Sequence, residues 1–243
     1  MEKQDSCLQT DWTFTIYRTT IDQKSIQLDV LKESAPLVIA IAFEKMDQAL
    51  IEACLKIECR KFNLLSITNL QWDEELSPWA HDPVVMINDH FTGQAPELLK
   101  TMDEKIIPWT LSKLKEKPKT ILISGYSMGG LFALYSLYNS NCFEGCACVS
   151  GSVWYPDFEN YALSHQLASS VKAVYFSLGN KEAKVSNPFL QTTGQVMEKL
   201  CDHYQNSNVD SVFELNPGNH FTNPIQRLAK GIKWLLIHTQ EDA

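Results

Sequence analysis

Ser127 lies in the run Gly125-Tyr126-Ser127-Met128-Gly129-Gly130, where a serine could serve as a nucleophile. The G-x-S-x-G spacing has a physical reason. A serine exposed on a sharp strand-to-helix turn needs a strained backbone, and small residues at both flanks leave room for it. The helix that follows would aim its N-terminus at the site, with the amide of Met128 placed to donate to an oxyanion. A serine hydroxyl is a poor nucleophile until a base takes its proton and a third group holds that base. On such a turn the chain order is serine, acid, histidine. Of the six histidines, His81 and His90 precede the serine. His165 precedes an expected strand, His203 is near a helix end and His238 is inside the last helix. His220 differs: Asn216-Pro217-Gly218-Asn219-His220-Phe221 forms a loop after the last expected strand, where the base is needed.

The acid should close the strand expected over 171–178. Ser177-Leu178-Gly179-Asn180-Lys181-Glu182 puts Glu182 on that loop, where it could fix the imidazole tautomer. Asp202 and Asp210 are poorly placed by order. Two alternatives stay open: Glu182 pairing with Lys181 or Lys184 at the surface, and a serine–histidine dyad aided by backbone groups alone. The second oxyanion donor belongs on the loop after strand 37–42. Phe43-Glu44-Lys45 there lacks a His-Gly or HGGG pattern, and the amide of Phe43 is the candidate.

These residues require a scaffold that presents loops at strand ends. Segments 12–19 and 25–31 alternate with period two and predict antiparallel strands. Leu37-Val38-Ile39-Ala40-Ile41-Ala42 is continuously apolar, as a strand covered on both faces is. Further strands are expected over 62–67, 120–124, 145–150, 171–178 and 209–215. Helices are expected over 46–58, 95–115 with a bend at Pro108, 131–138, 195–204 and 225–238. Strands alternating with helices imply an α/β fold with a mostly parallel central sheet, N-terminal antiparallel strands and helices on both faces. No repeat, linker or large insertion for a cap domain is seen. One domain over 1–243 is expected.

The 243 residues are 44% hydrophobic and 21% charged, with a formal charge of −8. An acidic surface repels phosphate backbones, so nucleic acid is not an expected partner. No apolar stretch reaches the ~20 residues that span a bilayer, so no membrane association is expected. The polar start Met1-Glu2-Lys3-Gln4-Asp5-Ser6 has no apolar signal core, and a cytoplasmic location is expected. The seven cysteines (Cys7, Cys54, Cys59, Cys142, Cys146, Cys148, Cys201) have no disulfide-scaffold spacing and are read as reduced. Cys146 and Cys148 would share one face of a buried strand, so a metal site is not supported. No cofactor is expected.

The expected loop 68–93 carries Trp72 and Trp79, with His81 and His90, and the segment 152–167 carries Trp154 and Tyr155. The aromatic side chains could wall a pocket for an acyl chain, sugar or ring, or pin a long loop to the body. Both readings stand. Asp73, Glu74 and Glu75 read as a solvated face.

Four runs carry a resemblance: Gly-Tyr-Ser-Met-Gly-Gly at 125–130, Ser-Gly-Ser-Val-Trp-Tyr at 150–155, Leu-Gly-Asn-Lys-Glu at 178–182 and Gly-Asn-His-Phe at 218–221. The chain resembles the α/β-hydrolase superfamily from about residue 37 to its end. Within it, it is similar to the esterase D-like group of siderophore-esterase, feruloyl-esterase and mycolyltransferase-type proteins. The resemblance implies carboxylic-ester hydrolysis through an acyl-enzyme on Ser127, with Glu182 as acid and His220 as base, and a small-molecule ester as substrate. It departs from many of these enzymes in the expected absence of an export signal and of a lid. Acyl transfer or amide hydrolysis by the same residues, and a catalytically silent binding module on this fold, remain alternatives.

Overall fold

The computed structural model describes residues 12–32 and 34–240. Segment 1–6, read above for targeting, and Cys7 lie outside the described residues. The chain opens with a hairpin of β1 (Thr15–Ile21) and β2 (Lys24–Val30). Its two-residue turn, Asp22-Gln23, has positive φ at both positions, which matches the twist of the flanking strands. Then come β3 (Leu37–Ile41) and β4 (Asn63–Thr68), a two-stranded ribbon of β5 (Ala80–His81) and β6 (Phe91–Thr92), and β7 (Ile121–Tyr126). The chain continues through β8 (Gly145–Val149), β9 (Ala173–Gly179) and β10 (Asp210–Asn216). The main sheet runs β1-β2-β4-β3-β7-β8-β9-β10. β2 pairs antiparallel with β1 and β4, and every pairing from β4 to β10 is parallel.

The parallel strands read as continuous apolar runs because both faces are covered. Leu37, Ile39 and Ile41 of β3, Ile123 of β7, Cys146 and Cys148 of β8, and Val174 and Phe176 of β9 join one core. Helices α3 (Ala95–Thr101), α5 (Met128–Asn139) and α7 (Pro188–Asn206) close that side. Val38, Ala40, Leu122, Ala147 and Tyr175 point the other way, under α1 (Asp47–Lys56) and α8 (Pro224–His238). The side-chain period of two sorts each strand onto both cores at once. Cys146 and Cys148 therefore pack as small apolar groups beneath α5, and burial pushes both thiols up. Among the described residues, no helix is long and apolar enough to cross a membrane.

The structure corrects four local expectations. Residues 68–93 hold the short helix α2 (Trp72–Leu76) as well as the ribbon. The helix expected over 95–115 is α3, a π-helical turn at Met102–Ile106, then α4 (Ile107–Leu111). The wider turn accommodates Pro108, which lacks an amide proton and would crowd the preceding turn. The segment 152–167 before β9, for which no helix is expected, contains α6 (Phe158–Ser164). Finally, α5 begins at Met128, three residues earlier than periodicity predicts, because Gly129 and Gly130 hide its first turn from an apolar pattern.

Candidate active site

Parallel strands bring their carboxyl ends to one edge of the sheet, and loops there can converge. Ser127 stands between β7 and α5 with φ 58° and ψ −123°, a backbone that side-chain-bearing residues rarely adopt. Several contacts hold it there. The Ser127 amide donates to the Val149 carbonyl at 3.2 Å, and its own carbonyl accepts from Gly130, Leu131 and Ser152. The glycines are needed for close approach. A Cβ on Gly125 would sit 2.0 Å from the Gly129 carbonyl oxygen, and one on Gly130 would sit 2.9 Å from Gly151 Cα. Gly129 packs so tightly on β3 that a Cβ would lie 3.1 Å from the Ile41 carbonyl oxygen.

His220 sits in the β10–α8 loop. Its Nδ1 is 2.7 Å from Glu182 Oε2, and its carbonyl accepts from the Tyr126 hydroxyl at 2.6 Å. Glu182, on the loop after β9, is only 7% exposed. Its Oε1 accepts from the Gly179 amide (2.6 Å), the Ser150 hydroxyl (2.8 Å) and Arg227 Nη1 (2.7 Å). Burial pushes the Glu182 carboxyl up, but hydrogen bonds from His220 and Ser150 and the attraction of His220 outweigh it, so its pKa lies below the ordinary glutamate value. Burial holds the Tyr126 phenol above its ordinary value, which keeps it a proton donor.

Ser127, Glu182 and His220 border one cavity of about 490 Å³. Among the described residues, none hydrogen-bonds the Ser127 hydroxyl. Met128 is the first residue of α5, so its amide has no acceptor within the helix. Phe43 follows the end of β3. The residue is 70% exposed and its ring stands edge-on to Trp72 at 5.3 Å, outside the cavity lining. Trp72 and Trp154 line the cavity. Trp79 and Tyr155 do not: the Trp79 indole donates to the Pro156 carbonyl at 3.1 Å, and the fully buried Tyr155 donates to the Trp79 carbonyl at 2.6 Å. These two pin loop 68–93 to the segment after β8. His81 and His90 are on the surface, His90 against Glu74.

The model of the Esterase family, described as "Putative esterase", matches residues 74–226, well over half of the chain. The chain belongs to the Esterase family. As a member of the Esterase family it is an enzyme of the esterase class. It is similar to the siderophore hydrolase EstA from Aspergillus nidulans (17% identity, TM-score 0.72), with 98% of this chain and 99% of that one covered. An IroE-like serine hydrolase from Shewanella oneidensis gives 13% identity and a TM-score of 0.72, over 95% and 82% of the two chains. The BES protein from Bacillus cereus gives 16% and 0.66, over 97% and 99%. At such identities the likeness shows the fold, that of an α/β-hydrolase. No curated protein matches the chain.

The most telling residue of this candidate site is absent from the sequence reading. Arg227, 3% exposed in the first turns of α8, donates through Nη1 to Glu182, Ser150 and Tyr126, and through Nη2 to the carbonyls of Pro217 and Asn219. One guanidinium thus ties Glu182, the end of β7 beside Ser127, the loop after β8 and the His220 loop together. A signal existed: Arg227, Gly231 and Leu235 fall on the buried stripe of α8, where an arginine must have partners. Val85, Met86, Val185 and Leu190 of the cavity lining were also missed. Val84-Val85-Met86-Ile87 is an apolar run inside the expected loop 68–93.

Proposed function

We propose that this chain is a serine carboxylesterase working through an acyl-enzyme, with Ser127 as nucleophile, His220 as general base and acid, and Glu182 as the group that orients His220. The observation that carries the reading is a single cavity bordered both by a serine on a strained strand-to-helix turn and by a histidine whose Nδ1 meets a buried carboxylate. With Nδ1 engaged as a donor to Glu182, Nε2 is the basic nitrogen left for Ser127.

Ser127 Oγ forms a bond to the ester carbonyl carbon while His220 takes its proton. The oxyanion is met by the Met128 amide, with Phe43 as second donor. Collapse breaks the carbon–oxygen bond to the alcohol, which leaves with the proton from His220. Water then repeats the sequence on the acyl-enzyme, releasing the acid and restoring Ser127. No metal or cofactor enters these steps.

Hydrolysis of p-nitrophenyl esters tests this. Ser127→Ala should lower kcat by about 10³-fold or more with an unchanged melting temperature. Full activity in that variant would end the reading. If methanol supplied as an acceptor captured most of the acyl group, the enzyme would be a transferase using the same residues.

A further inference from the structure

The cavity beside Ser127 has a chemical bias. Trp72, Phe91, Trp154 and Leu190 form its walls, and Val85, Met86, Val185 and Phe221 stand at its border. These last four are among the exposed large apolar side chains of the described residues, Phe221 at 84%. Apolar groups gathered in water around one opening gain nothing from folding and mark a surface that receives an apolar ligand. They are also held in place. Asp89 Oδ2 accepts from the amides of Val85 (2.7 Å) and Met86 (2.8 Å), and Asn187 Nδ2 donates to the Val84 carbonyl at 2.9 Å, tying this loop to the one bearing Val185.

The charges of the lining point the same way. Among the described residues of the lining, the carboxylates are Asp73, Asp89 and Glu182, Lys181 is the sole lysine and there is no arginine. Glu182 is engaged by His220 and Arg227, and Asp89 by backbone amides. A carboxylate remote from the ester would therefore meet indole and aliphatic walls, with a single ammonium to compensate its lost hydration. Recognition of polyanions uses forked arginines or clustered lysines, and a net charge of −8 adds long-range repulsion. The volume, about 490 Å³, suits a small-molecule body far larger than acetyl.

We propose that the site takes uncharged esters with an apolar acyl body of medium-chain or aromatic size, and discriminates against esters that carry an anionic group away from the scissile bond. The proposal rests on the serine-esterase reading, and the test separates the two. Labelling of Ser127 by a fluorophosphonate is measured first, and its failure would sink the esterase reading itself. In an enzyme that labels, kcat/KM is compared for p-nitrophenyl acetate, p-nitrophenyl octanoate and the p-nitrophenyl monoester of suberic acid, an eight-carbon chain ending in a carboxylate. Octanoate should exceed both of the others at least tenfold. Raising the salt concentration should narrow the gap between octanoate and the suberate monoester, and Asp73→Asn should narrow it at least threefold. Met86→Ser should lower the octanoate value several-fold more than it lowers the acetate value. A suberate monoester turned over as fast as octanoate, or acetate preferred over octanoate, would overturn the proposal whether or not the variants fold.

Discussion

Glu182 divides its oxygens between His220 on one side and Gly179, Ser150 and Arg227 on the other. Because its pKa in the folded chain is below the ordinary glutamate value, its contribution to stability is present above that ordinary value. It is lost as pH falls through the lower, folded value. Glu182→Gln should therefore unfold at lower denaturant than wild type near pH 7, and the gap should shrink as the pH is taken to about 3. A gap that stays constant across that range would mean the carboxylate charge is not what stabilises the loop. Of the cavity residues, Arg227 touches Glu182, Ser150 and the Asn219 carbonyl, and neither Ser127 nor the His220 ring, so it acts as a positioning residue. Arg227→Met leaves a buried carboxylate without its cation, a loss of about 3–5 kcal/mol when one partner of a buried pair is removed. Arg227→Lys keeps the charge but loses the fork that spans Glu182 and the His220 loop. We expect kcat to fall at least tenfold in Arg227→Lys with KM for a short ester within twofold. Arg227→Met should show that defect together with a lower melting temperature. Unchanged kcat in a folded Arg227→Lys would reduce the arginine to a structural tie.

The connections between elements decide where the chemistry stands. β7 and α5 meet at a turn so tight that Gly125 and Gly129 share one space, and the sheet order puts β3 and β8 on either side of it. Gly125→Ala forces a Cβ against backbone atoms of Gly129 at 2.0 and 2.2 Å. Backbone cannot swing aside, so the expected loss is about 3 kcal/mol or more. In a chain of this size that corresponds to roughly 6–12 °C in melting temperature, with activity lost even at temperatures where the variant stays folded. A variant that melts with wild type would show that the turn is looser than described. This strand-to-helix turn, and the strands around it, were legible because buried parallel strands are locally unmistakable: β3, β7 and β9 are apolar on both faces. Helix α2 was not legible, since five residues make no helix alone. A tertiary contact holds it, the pairing of Glu75 with Lys24 of β2, and Glu75 also accepts the Gln71 amide at its own helix start at 2.9 Å. The Glu182–Arg227 pair spans 45 residues, and no local pattern reports a partner that distant.

At the scale of the molecule, two apolar cores clamp a sheet whose carboxyl-end loops hold every group the proposed chemistry uses. Ser127 and His220 were readable by order along the chain, and Glu182 by the loop that ends β9. The walls of the cavity were half readable: Trp72 and Trp154 line it, while Trp79 and Tyr155 pack beneath loop 68–93. An aromatic residue in a loop pattern serves either purpose, and only packing separates them. The central claim is that Ser127 is an activated nucleophile. Its most direct test is fluorophosphonate labelling of wild type and Ser127→Ala, read by intact mass and peptide mapping. The account predicts one adduct per chain, located on Ser127 and absent from the variant. A wild type that takes up no label, or a Ser127→Ala chain that labels equally well, would contradict it.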